Sequence, residues 1–161
     1  MSMFREVENR DLPCHLFGYI LDAEESTPFL DTMDIYFAAL GDGTAELEIP
    51  VSQTHYNSAG IVHGGVFAGL MDAAMGMAML TKNKAGVTTS LSTNYLKSAG
   101  KGDVMIARAK VEKDGKHMLF CTCTITNQRD EVLATGQASF MVQVEDFVQW
   151  YAAKLKENGV Q

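Results

Sequence analysis

Cysteine, proline and basic residues are scarce in this chain, and each shortage removes a class of function. The three cysteines, Cys14, Cys121 and Cys123, are odd in number, and the one close pair is C-x-C rather than the C-x-x-C of zinc and redox motifs. No disulfide framework is expected, and a reducing cytoplasm is the simplest compartment. Lysine and arginine number 13 against 20 acids, a net charge of −7 that argues against a nucleic-acid or anionic-membrane surface. The longest stretch carrying a single charge is too short to span a bilayer. Met1 to Asn9 contains Arg5, Glu6 and Glu8 and no apolar run of the kind a secretory signal has. His15, His55 and His117 share no ligand spacing, so neither a metal nor a redox cofactor is expected. Nothing resembles a linker, a repeat or a low-complexity tract.

What is present suits one ordinary domain spanning all 161 residues, with 47% hydrophobic and 20% charged residues to build and solvate a core. Helices are predicted over Cys14 to Glu25 and over Pro28 to Met33, the second with Pro28 in its first turn behind Thr27. Ile35 to Leu40 and Thr44 to Ile49 read as a hairpin around Gly41-Asp42-Gly43, ended by Pro50. Gln53 to Val62 reads as a polar loop. Gly64 to Leu80, GGVFAGLMDAAMGMAML, has one charge, Asp72. Its length and its alanine, leucine and methionine content favour a buried helix despite its glycines.

Period-two alternation then predicts four strands. The first puts Val87, Thr89, Leu91, Thr93 and Tyr95 on one face and Thr88, Ser90, Ser92, Asn94 and Leu96 on the other. Met105 to Glu112, His117 to Thr126 and Val132 to Val144 follow, separated by turn signals at Gly100-Lys101-Gly102, Asp114-Gly115 and Asn127 to Glu131. Short links predict an antiparallel meander. Phe147, Trp150, Tyr151 and Leu155 are spaced for one face of a C-terminal helix, with Gly159 past its end. A helix that is apolar nearly all round must be enclosed, and a curved sheet around it makes an α+β fold.

Asp72 is the residue that needs explaining. A buried unpaired carboxylate is costly, so it calls for a partner or a function. At helical spacing its neighbours are Gly65, Ala68, Gly69, Met75 and Gly76, mostly without bulk, leaving a shallow groove for a backbone or a ligand. A structural acid bonded to a neighbouring loop would account for Asp72 taken alone. Ahead of the helix stands Asn57-x-x-Gly60-x-x-His63-Gly64-Gly65. Glycines at a helix start leave N–H groups open at the positive end of the dipole, a place suited to an incipient oxyanion such as a polarised thioester carbonyl. The plainer reading is a loop needing unusual backbone angles. His63 is either a general base or, as we prefer, the residue that holds Asn57 or a backbone carbonyl in place.

Reach connects the two features. Asp72 lies about 12 Å along the helix axis from Gly64, at 1.5 Å per residue. Reacting groups approach to roughly 3–3.5 Å. If both features serve one reaction, the acid comes from a second protomer whose helix runs antiparallel, as a two-fold dimer provides.

The set Asn57, Gly60, His63-Gly64-Gly65 and Asp72, followed by Gly86-Val87-Thr88-Thr89 and Asn94-Tyr95-Leu96, resembles the hotdog-fold acyl-CoA thioesterases of the PaaI-like type, in the 4-hydroxybenzoyl-CoA thioesterase superfamily. The resemblance covers roughly Ile35 to Val144. It implies a long helix wrapped by an antiparallel sheet, and a homodimer that often pairs again as a tetramer. It further implies that the Gly64 N–H polarises the thioester carbonyl with help from Asn57 and orientation by His63. The partner's Asp72 would serve as general base toward water or as a nucleophile, and Thr88, or Ser90 in its stead, would position the water. Lys97 and Lys101 flank the turn where the superfamily meets the nucleotide end of CoA. The expected function is hydrolysis of an acyl-CoA to acid and CoA; the alternatives are a hotdog hydratase or dehydratase and a non-catalytic acyl-CoA-binding module. Met71, Met75, Met77 and Met79 suit either an adaptable acyl pocket or, by preference, the core. Cys121 and Cys123 read as small packing residues.

Overall fold

The computed structural model describes residues 6–24 and 27–157. Glu25 and Gly159, placed at helix ends by the sequence, lie outside them. The chain begins with a short strand β1 (Glu8–Arg10) and two helices, α1 (Cys14–Glu24) and α2 (Pro28–Thr32). The hairpin follows as β2 (Tyr36–Gly41) and β3 (Thr44–Pro50), turning on Asp42-Gly43, with Gly43 at φ 68°. Ile35 stays outside the strand as a fully buried residue. The central helix α3 (Gly64–Leu80) has the predicted bounds. Then come β4 (Ala85–Tyr95), β5 (Val104–Asp114), β6 (Met118–Thr126), β7 (Val132–Val144) and the C-terminal helix α4 (Phe147–Glu157).

The seven strands form one sheet in the order β1-β2-β3-β5-β6-β7-β4, parallel only between β1 and β2. The sheet packs around α3, which touches β2 through β7. Phe67, Leu70, Met71, Ala74, Met75 and Ala78 of α3 are buried against it. Leu47, Ile49, Met105, Ala107, Leu119 and Ile125 answer from the strands. The methionines are therefore core: Met71 and Met75 are wholly inaccessible. Cys121 and Cys123 point inward from β6, the Cys121 thiol toward the Met75 carbonyl at 3.7 Å, and burial pushes both thiols up to about 12.

Two expectations are corrected. The meander holds for β5, β6 and β7 but excludes β4, which pairs with β7 at the far edge of the sheet. Residues 96–103 are too many to act as a tight hairpin turn, so they do not force β4 beside β5. They cross the end of the sheet, where the Leu96 and Lys97 N–H groups donate to the Leu133 carbonyl and the Val62 N–H to that of Ala99. β5 then pairs with β3, matching Leu47 to Ala107 and Ile49 to Met105.

The second correction concerns faces. The register of β4 on β7 shifts between Thr88 and Ser90, a β-bulge at Thr89. One extra residue reverses the alternation. Thr88, opposite Phe140, faces α3, and so do Leu91, Thr93 and Tyr95 beyond the bulge. Ser90 is turned outward, in one row with Ser139 and Phe120. The segments outside the sheet pack on each other: Tyr19 of α1 meets Tyr151 of α4 edge-on at 5.6 Å, and the Tyr151 hydroxyl donates to Asp22 at 2.9 Å. Asn83, at φ 59°, ties the end of α3 to α4 by accepting the Phe147 and Val148 N–H groups.

Candidate active site

The site is in two halves. The first is the entrance to α3. Asn57 folds the preceding loop as an Asx turn, its Oδ1 accepting the Ala59 N–H at 2.9 Å and the Ile61 N–H at 3.4 Å. That leaves the Asn57 amide nitrogen as the end able to donate outward. His63 is the N-cap of α3, and its Nδ1 accepts the Gly65 N–H at 2.9 Å. In place of the expected hold on Asn57 or on a carbonyl, His63 makes this capping bond, which satisfies one of the orphan donors of the first helical turn. Its own N–H donates to the carbonyl of buried His55.

Gly64, the first helical residue, is steered by Tyr95. The tyrosine hydroxyl donates to the Gly64 carbonyl at 3.1 Å, and a Cβ on Gly64 would stand 3.3 Å from the Tyr95 ring. Tyr95 is held in turn by an edge-on contact with Phe67 at 5.8 Å. Asn57, Gly64, Phe67, Tyr95, Leu96 and Lys97 line a cavity of about 330 Å³ in front of the helix tip. Lys97 is not a free cation there: its ammonium meets Glu131, whose carboxyl Lys97 and Asn127 hold down at about 2. Lys101 lies exposed in the following turn, outside the lining.

The second half lies further along α3. Asp72 is on the less buried face of α3, among Gly65, Ala68, Gly69 and Gly76. The Thr88 hydroxyl donates to its Oδ1 at 2.7 Å. The carboxylate is half-buried and its neighbour is a strand hydroxyl, not a loop. Phe29 of α2 overlies Gly69, where a Cβ would come within 2.9 Å of the ring. Asn57, Gly64 and Lys97 are thus brought together, and Asp72 with Thr88, while the two groups stay apart within the protomer by about 12 Å of helix.

Three contributors escaped sequence reasoning. Tyr95 belonged to a quoted motif, but its bond to Gly64 spans 31 residues. His55 was set aside for lacking ligand spacing; its Nδ1 accepts the Ser52 N–H at 3.0 Å and its Nε2 donates to the Met33 carbonyl at 3.1 Å, bracing the loop from within. Phe29 carries no signal in the sequence beyond its place in the short predicted helix.

A central helix wrapped by a mostly antiparallel sheet, with an open helix tip at one end and a strand-bonded acid on the less buried face, defines the hotdog class. The family model described as the thioesterase superfamily matches residues 59–145. Acyl-coenzyme A thioesterase 13 of Homo sapiens is 30% identical over 105 residues, 64% of this chain and 71% of that protein. Among solved structures, the PaaI protein of E. coli from the phenylacetic acid degradation operon aligns with TM-score 0.77 and 21% identity, covering 82% of this chain and 96% of that one. The smu.793 protein of Streptococcus mutans UA159, bound to acetyl CoA, aligns with TM-score 0.68 and 25% identity over 70% of this chain and 90% of that one. This chain belongs to the thioesterase superfamily, as a thioester hydrolase with the hotdog fold it shares with the PaaI protein. Among its described residues no helix is long and apolar enough to cross a membrane.

Proposed function

We propose that the protein hydrolyses acyl-CoA thioesters to the free acid and CoA, at two equal sites that each draw on two protomers. The observation that carries this reading is the separation of a helix tip from an acid on the same helix, each equipped for a different part of one reaction. At the tip, the Gly64 N–H and the Asn57 amide face the cavity and donate to the thioester carbonyl oxygen, where negative charge develops. The other protomer's acid takes a proton from water as the water oxygen attacks the carbonyl carbon. Collapse of the tetrahedral intermediate breaks the C–S bond, and the proton held on the acid returns to the departing thiolate. The Thr88 hydroxyl donates to one carboxylate oxygen, which fixes the acid and leaves the other oxygen for the water.

The edge of the sheet supports the pairing. β4 is an eleven-residue edge strand with unpaired backbone groups along its outer side, and the apolar Val87, Tyr95 and Leu96 around it are 44%, 56% and 63% exposed. A long, exposed edge strand is a template for strand addition. Two-fold pairing there sets the two α3 helices antiparallel, acid toward tip. Lys101, and Lys97 after exchange from Glu131, meet the phosphates of CoA at the cavity mouth.

Thiol release from a panel of acyl-CoA esters tests the reading. Asp72→Asn lowers kcat by at least about 10²-fold, the usual cost of losing a general base. A variant with undiminished kcat removes Asp72 from the chemistry, and binding without thiol release by the native protein removes hydrolysis. Neutralising Lys97 or Lys101 raises KM for CoA esters more than for short thioesters without a nucleotide; equal increases retire the phosphate role.

A further inference from the structure

A second cavity, of about 310 Å³, lies one helical turn beyond Asp72, lined among others by Ala23 of α1, Gly76 and Leu80 of α3, Gly86 of β4, and Phe147 and Trp150 of α4. Two independent elements lead into it from the acid. Along α3, Gly76 is four residues after Asp72 on the same face, about 6 Å further on. Along β4, Gly86 is two residues before Thr88 with no register shift between them, so it shares the face that carries the Thr88 hydroxyl. The walls are mainly apolar and aromatic, with Glu24 of α1 and Lys154 of α4 also in the lining. Phe147 and Tyr151 stack at 5.6 Å, Phe147 and Trp150 stand 6.1 Å apart, and the Lys154 ammonium caps the Trp150 ring at 5.0 Å.

Gly76 is the informative residue. A glycine inside a helix is about 1 kcal/mol less favourable than alanine. Here nothing lies within 4 Å of the position a Cβ would take, so no packing within the protomer requires it. Gly86, by contrast, is required, because a Cβ there would come within 2.0 Å of the Met141 carbonyl oxygen. Unlike Gly18, which is exposed on α1, Gly76 is half-buried and its open space forms part of the cavity. It begins one helical turn along α3 from the acid, and α1 and α4, which close it, both lie outside the residues that match the superfamily.

We propose that this cavity receives the distal part of an apolar acyl group, and that α1 and α4 set the acyl length this enzyme accepts. The inference rests on the reading of Asp72 as the base. With the carbonyl carbon near Asp72, an acetyl group ends before Gly76, whereas an octanoyl group ends among Leu80, Phe147 and Trp150. Burial of the added methylenes against those side chains then favours the longer ester.

The test uses the full chain and two filling variants from opposite walls, Gly76→Leu and Ala23→Leu, assayed with acetyl-CoA and octanoyl-CoA and sized in solution. Each variant lowers the ratio of kcat/KM for octanoyl-CoA over acetyl-CoA by roughly 10-fold or more, since a single methylene in an apolar pocket is worth that much. An unchanged ratio in both variants overturns the proposal. Should Gly76→Leu dissociate the oligomer, the gap at Gly76 belongs to a neighbouring helix, and an unchanged ratio in Ala23→Leu then suffices to overturn it. Loss of all thiol release by the native protein would instead sink the hydrolytic reading.

Discussion

At the scale of residues, the proposed chemistry depends on one short hydrogen bond. Thr88 reaches Asp72 only because Thr89 is squeezed out as a bulge, which keeps the hydroxyl on the helix side of β4. Strict alternation would place Thr88 and Leu91 on opposite faces, and that is why the choice between Thr88 and Ser90 was not legible in the sequence. A hydrogen bond to a charged group is worth about 1.5–3 kcal/mol. Thr88→Val, which keeps the shape and removes the donor, therefore lowers kcat by roughly one to two powers of ten, since 1.4 kcal/mol is tenfold. Thr88→Ser restores most of it. Steady-state kinetics of the pair check this: a valine variant as fast as the serine variant would show that the hydroxyl does not hold the acid. Ser90→Ala serves as the outward-facing control, because its side chain shares the row of Ser139 and Phe120.

At the scale of elements, what was legible is what period and composition encode. α3 and β7 have their predicted bounds because a seventeen-residue apolar helix and a thirteen-residue strand are long enough for the pattern to dominate local ambiguity. β1 was not read, since three exposed residues that pair with β2 carry no alternation. The placement of β4 was not read either, because pairing across the end of a sheet is a long-range contact that no local signal records. Glycines inside elements show the same division. Gly18 in α1 is exposed with open space around it, and Gly86 in β4 abuts the backbone of β7. Gly18→Ala raises stability by about 0.5–1 kcal/mol through helix propensity. Gly86→Ala lowers it by about 1–3 kcal/mol, because backbone must move to admit the methyl. Urea unfolding midpoints of the two variants shift in opposite directions; a shared direction would mean that the close approach of β4 to β7 is not maintained in solution.

At the scale of the whole molecule, the question is why one protomer carries two candidate half-sites that do not meet. The arithmetic of helix rise made this legible before any coordinates, since it needs only the numbers of Gly64 and Asp72. The exposed edge of β4 was less legible, because the sequence expectation paired that strand with β5 in a meander. Together they make the proposed dimer a kinetic claim as well as a structural one. In a two-fold assembly, each site takes its tip from one protomer and its acid from the other. Asp72→Asn removes the acid from both sites of its own dimer, and a tip variant, Asn57→Ala with Gly64→Pro, removes the carbonyl donors from both. Each homodimer is then inactive. A heterodimer of the two pairs a native tip with a native acid at one site and leaves the other doubly damaged. Equal mixing under exchange makes half of the dimers mixed, each with one working site of two, so about one quarter of native activity returns. Co-expression with two different affinity tags isolates the mixed species, whose activity should approach half. Mixed dimers no more active than their parents would place acid and tip of the same reaction within one chain, which the length of α3 forbids, and would dissolve the connection between Asp72 and Gly64 altogether.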